Sequence, residues 1–113
     1  MKFKPDNLIA GDFPIVTQSI TVAAGQVLTR GAVLGRIVTK GQYVLSQANA
    51  SDGSENPSVV LAQDVDTSNG ELETTGYLSG QFNSSAVTFG TGHTAESTFN
   101  ALRALNIYLK DTI

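Results

Sequence analysis

The chain has 113 residues and a mass of 11.9 kDa, room for one domain with its own core and not for a second. Its formal net charge of −3 and pI near 4.8 rest on only 15% charged residues with no basic run, which argues against nucleic acid as a partner. There is no cysteine, which excludes disulfides, thiolate metal sites and thiol catalysis and is compatible with assembly in a reducing cytoplasm.

Residues 1 to 12 show neither helical nor strand periodicity and combine Pro5 and Gly11 with the apolar pair Leu8-Ile9, so they read as an N-terminal arm preceding a single domain over 13–113. Asp6, Asn7 and Asp12 interrupt the 7 to 15 apolar residues that a secretory signal needs. No stretch reaches the roughly 20 apolar residues of a bilayer-spanning helix, so no membrane association is expected.

From Ile15 the sequence becomes a series of short β-branched runs separated by glycine-containing turns, the pattern of an all-β domain. Ile15–Val22 is the first run and alternates best in its second half; Val27-Leu28 follows the Gly25-Gln26 turn, and Ala32–Thr39 follows Arg30-Gly31. Lys40-Gly41 then predicts a tight hairpin into Gln42–Leu45, because the favoured two-residue turns need positive φ. Ser46 to Pro57 is small and polar and reads as a surface loop. The continuous apolar run Val59-Val60-Leu61-Ala62 predicts a central strand buried on both faces, after which Asp64 to Gly70 leaves the core. Gly76–Phe82 and Ala86–Phe89 read as further strands. One helix is expected after Gly92, capped by Thr94 with Glu96 in its first turn, its apolar face made of Ala95, Phe99, Leu102 and Leu105; Ile107–Lys110 returns as a closing strand.

Little in this pattern speaks of catalysis. His93 is the only histidine, at the predicted helix start, and reads as a capping or turn residue, since no G-x-S-x-G nucleophile elbow accompanies it. Asp64-Val65-Asp66 with Ser68, Asn69 and Gly70 fails as a calcium loop: with Asp64 at position 1, the turn glycine falls on Asn69 and the bidentate glutamate on Thr75. The acidic stretch reads as a solvated turn, with no metal site. Gly90-Thr91-Gly92 precedes the helix and could offer amides to an anion, but its ordinary reading is a flexible joint. Neither the dinucleotide nor the P-loop glycine pattern occurs, so no cofactor is expected, and the two sequons at Asn49 and Asn83 are expected by chance.

Two resemblances can be drawn. Val22 to Gly35 has the V-x-x-G-x-x-V rhythm of biotinyl and lipoyl carrier domains, whose modified lysine sits at a hairpin tip as Lys40 would, although Val38-Thr39 and Gln42 match neither flanking context. The wider series Gly25–Ile37, Gly41-Gln42-Tyr43, Ser51–Ser54, Pro57–Asp66, Gly76–Asn83, the late helix and Ile107–Lys110 resembles, in unbroken order, the lambda-type phage head decoration proteins.

That second resemblance implies a mainly β, compact β-clip-like barrel or sandwich with one C-terminal α-helix, forming a homotrimer without enzymatic activity. It implies residence on the outer capsid surface of the virion after assembly in the host cytoplasm, at capsomer junctions, where the protein stabilises the expanded head against DNA pressure. The implied partner is the major capsid protein, reached by strand addition from Met1 to Val16 with Phe3, Leu8, Ile9 and Phe13 as anchors, or by loops such as Ser46 to Pro57. A carrier domain modified at Lys40 and a glycan- or small-ligand-binding β domain are the alternatives.

Overall fold

A computed structural model describes residues 15–83 and 86–110. Seven strands come first: β1 (Val16–Val22), β2 (Val27–Leu28), β3 (Val33–Arg36), β4 (Tyr43–Leu45), β5 (Pro57–Leu61), β6 (Val65–Asp66) and β7 (Leu72–Asn83). Helix α1 (Ala95–Arg103) and strand β8 (Ile107–Lys110) follow, so the expected mainly β chain with one C-terminal helix is what the fold shows.

The main sheet runs β1-β4-β3-β5-β7-β8 and closes on itself because β1 also pairs with β7. Length makes the closure possible. The twelve residues of β7 meet β1 antiparallel from Leu72 to Ser79, meet β5 at Gly76 and Tyr77, and run parallel to β8 from Gly80 to Asn83. Gly80, at φ +148, marks the change of partner; a Cβ there would lie 2.9 Å from the Phe82 ring. The short ribbon of β2 and β6 adds Leu28 and Val65 to the barrel interior.

Strand β5 divides the core. Its side chains alternate between two apolar clusters, Val59 and Leu61 joining Ile20, Val22, Ala32 and Leu34 inside the barrel, and Val60 joining Phe82, Leu102, Ile107 and Leu109 beneath the helix. The run Val59 to Leu61 is therefore buried on both faces, as its unbroken apolarity predicts. The β3–β4 hairpin forms with Arg36 opposite Tyr43, but not through a two-residue turn. Ile37 N donates to the Gln42 carbonyl at 2.8 Å and the Ile37 carbonyl accepts from Gly41 N at 2.8 Å, so residues 38–41 make the turn, with Gly41 at φ +71 and Lys40 not at positive φ.

Several elements differ from the sequence reading. Ala86 to Phe89 is not a strand; it contributes a single parallel bridge, Thr88 to Ala32, with Val33 N donating to the Thr88 carbonyl at 2.9 Å. Asp64 to Gly70 does not simply leave the core, since β6 pairs with β2 and Thr67 is fully buried. Strand β7 starts four residues before Gly76.

The helix presents a different face from the one its apolar spacing suggests. Thr98 and Leu102, one turn apart, are buried, whereas Phe99 and Leu105 are exposed and Arg103 lies over the Phe99 ring at 6.0 Å. Its start is as expected: Thr94 Oγ1 accepts from Ser97 N at 3.0 Å, and Ser97 Oγ accepts from Thr94 N at 2.8 Å, a reciprocal cap. Thr94→Ala is expected to lower stability by about 1 kcal/mol in a urea titration, with Thr94→Ser close to the parent.

Candidate functional site

The first half of β1 is exposed on the barrel surface. Ile15 to Ser19 are all exposed, and burial begins only at Ile20 and Val22. One edge of the strand is filled by β7, from Val16 opposite Ser79 to Val22 opposite Leu72. Among the described residues, β1 meets a strand along its other edge only at Val22, which pairs with Tyr43. In an antiparallel pair successive residues turn their N–H and C=O groups to opposite edges. Alternate residues between Val16 and Ile20 therefore present donors and acceptors that no described strand takes up, a template for adding a strand.

The predicted anchors Phe3, Leu8, Ile9 and Phe13, with the arm that carries them, lie outside the described residues. What the structure adds is the start of β1 that follows them in sequence, where Ile15 and Val16 are 44% and 50% exposed. The signal for those two was in the sequence, since alternation in Ile15–Val22 sets in only in its second half, leaving the first residues no face to bury.

The second candidate contact, read as Ser46 to Pro57, is a surface loop over 46–56 pinned from beneath, Pro57 being the buried first residue of β5. Ser46 and Ser54 are buried, and Ser46 Oγ donates to the Ser54 carbonyl at 2.7 Å. Gly35 of β3 backs onto the same carbonyl, and Val38 N donates to the Asp52 carbonyl at 2.9 Å. On the far side, His93 Nε2 lies 3.0 Å from the Glu55 carbonyl oxygen and 3.3 Å from Ser46 Oγ. A carbonyl only accepts, so Nε2 carries a proton and donates. That nitrogen has no lone pair to take a proton from Ser46, and His93 is a brace between two loops rather than a base or a free turn residue.

Gly90-Thr91-Gly92 is likewise part of the brace and not a flexible joint. Gly90 is buried, a Cβ on it would fall 2.0 Å from the Ser46 carbonyl oxygen, and Thr91 O accepts from Ala48 N at 2.9 Å. Glycine serves here for close backbone approach, a use that a G-x-G string does not distinguish from flexibility.

The acidic residues have separate, local partners. Asp64 Oδ1 accepts from Arg30 N at 2.8 Å, while Arg30 Nη1 donates to the Ala62 carbonyl and the Tyr77 hydroxyl. Asp66 Oδ1 accepts from Ser68 Oγ at 2.5 Å and Ser68 N at 2.9 Å; Asp52 Oδ1 accepts from Ser54 Oγ at 2.5 Å and Ser54 N at 3.0 Å. The serine hydroxyl bond first, and the backbone N–H bond second, hold both carboxyls below the ordinary aspartate value near 3.8. With the folded pKa depressed, the folded chain binds fewer protons than the unfolded one, so this stabilisation is complete above the ordinary value and disappears as pH falls through the folded one. The thermal midpoint is expected to be insensitive to Asp52→Asn plus Asp66→Asn at the acid end, where the parent has lost the same bonds, and to fall on that substitution at neutral pH. Lys40 is exposed at the β3–β4 turn.

The described residues thus combine an exposed strand edge beside two apolar side chains with braced loops, and Asp52, Asp64 and Asp66 each have hydrogen-bond partners within the fold. The family model of bacteriophage lambda head decoration protein D matches residues 2–108. The chain belongs to this family. No curated protein sequence matches it. The match takes in nearly all of the predicted arm together with the barrel, the helix and the start of β8. Membership makes this decoration protein a structural component of a phage head, with the capsid as the surface it binds. Head decoration is not a class of enzymatic activity.

Proposed function

We propose that the decoration protein acts as a homotrimer on the outer surface of the expanded head, at the junctions between capsomers, and cements the shell against the pressure of packaged DNA. The major capsid protein is its partner. Residues 1–12 form the arm that reaches it, with Phe3, Leu8, Ile9 and Phe13 as anchors, and residues 13–113 form the single decoration domain.

One observation supports this reading: among the described residues, the β1 edge is open from Val16 to Ile20, directly after the predicted arm in sequence, in a chain matched by the head decoration family over residues 2–108. A strand added there gains backbone hydrogen bonds, and apolar anchors on alternate residues supply specificity. Three such arms on one trimer act at high effective concentration, so a modest single contact becomes firm attachment. Binding the expanded shell and not its precursor then stabilises the expanded form by mass action.

Light scattering on a size-exclusion column tests the assembly, with a mass of three chains expected and a monomer at micromolar concentration counting against it. Co-sedimentation with expanded and unexpanded capsids tests the contact. The full chain is expected to pellet with expanded capsids only, and the chain lacking residues 1–12 with neither; equal binding by both chains would remove the arm from the mechanism.

A further inference from the structure

We propose that Asn69-Gly70 is a site of spontaneous covalent modification, at which the Asn69 side chain is converted to aspartate and isoaspartate through a cyclic imide. In this reaction the backbone nitrogen of the next residue, having lost its proton to solvent base, attacks the side-chain Cγ. A new C–N bond closes a five-membered ring and the side-chain amide nitrogen leaves as ammonia. Water then opens the ring at either carbonyl, and the chain is left with a normal or a side-chain-linked peptide bond and one carboxylate more. No reactant beyond water and base is needed.

Access to the attacking nitrogen selects the site. Asn69 is exposed in the turn between β6 and β7, and its side chain takes part in no hydrogen bond among the described residues. Gly70 has no side chain to obstruct the approach, holds φ at +139, and has nothing within 4 Å of where a Cβ would stand. Its N–H is engaged by the Thr67 carbonyl at 3.1 Å, a single bond on an exposed turn that local opening releases. Among the described residues, the other exposed asparagines lack this combination. Asn56 precedes Pro57, which has no N–H; Asn106 precedes β-branched Ile107; Asn100 is held in α1; and Asn49 precedes Ala50, whose Cβ crowds the ring.

The position gives the reaction consequences. Asp64, Asp66, Glu71 and Glu73 already flank the turn, so the new carboxylate adds to a local excess of negative charge. The isoaspartyl product also inserts a backbone atom two residues from Thr67, whose hydroxyl ties this turn to Ala23 and Gln26. The inference is independent of the proposed assembly.

The test is to hold the full-length protein at 37 °C and mildly alkaline pH for several weeks. Intact mass, peptide mapping and isoaspartyl methyltransferase labelling are followed, with a synthetic peptide spanning residues 66–73 as the unfolded reference. The expected result is a gain of about 1 Da confined to the peptide containing Asn69, labelling that accompanies it, faster conversion at higher pH, and loss of both signals in Asn69→Ser. An unchanged Asn69 after the reference peptide has fully converted, or a gain located at another asparagine first, overturns the proposal.

Discussion

Replacing Gly35 with alanine is expected to destabilise the protein by about 3 kcal/mol or more, through overpacking against a backbone that cannot retreat. A Cβ at this position falls 2.0 Å from the Ser54 carbonyl oxygen, 2.6 Å from its carbon and 2.8 Å from its Cα. The obstacle is main chain, and it is held from three sides: Ser46 Oγ bonds the same carbonyl, His93 bonds the next one, and Asp52 bonds the Ser54 amide. Either β3 shifts, disturbing its pairing with β4 and β5, or the loop lifts and exposes Ser46 and Ser54. Gly25→Ala is the control, because that residue has φ +87 but nothing within 4 Å of the added carbon. It is expected to cost about 1 kcal/mol of backbone strain alone. Urea unfolding of the two variants separates crowding from strain, and equal losses would contradict the packing argument.

Thr67→Val is expected to cost about 2 to 4 kcal/mol although the two side chains have nearly the same shape. The Thr67 hydroxyl accepts from Gln26 N at 2.7 Å and donates to the Ala23 carbonyl at 2.6 Å, with the Gln26 carbonyl 3.1 Å away. The Thr67 backbone closes the same junction, its N–H donating to Gln26 O at 2.7 Å and its carbonyl accepting from Gly25 N at 2.8 Å. One fully buried residue thus ties the β1–β2 turn to the end of β6. Valine keeps the volume and leaves a backbone donor and an acceptor without their partner. Thr67→Ser keeps the hydroxyl and loses one methyl, so about 1 kcal/mol is expected. The order, serine milder than valine, is the discriminating result in thermal or urea melts; the reverse order would mean that shape, not hydrogen bonding, holds the junction.

The parts of the fold legible in the sequence are those where one residue type has one physical meaning. Val59-Val60-Leu61 has no polar face and therefore no exposed one, and Lys40-Gly41 between two apolar runs has few alternatives to a hairpin. Thr94 ahead of a helix signals a cap. The illegible parts are those where a polar residue does a core residue's work. Thr98 is buried under α1 because its hydroxyl is returned to the Thr94 carbonyl at 2.8 Å, so the inward face was masked by a residue that scores as outward. Phe99 and Leu105, which looked like that face, lie on the surface instead. Thr67 and β6 were hidden in the same way among aspartates and serines. For the candidate site, the sequence pointed to an apolar arm entering a strand, but the openness of the β1 edge depends on which strands lie beside it, and only the closed topology reveals that.

The pairing of β1 with β7 also decides how the domain carries load. A pull at Ile15 directed along β1 acts across the hydrogen bonds that run from Val16 opposite Ser79 to Val22 opposite Leu72. The ladder is then strained in shear, with its rungs sharing the force, instead of being unzipped one rung at a time. Because β7 continues through β5 to β8, the same force is handed to both halves of the core. A force directed along β1 at this end of the barrel is therefore shared by many rungs at once.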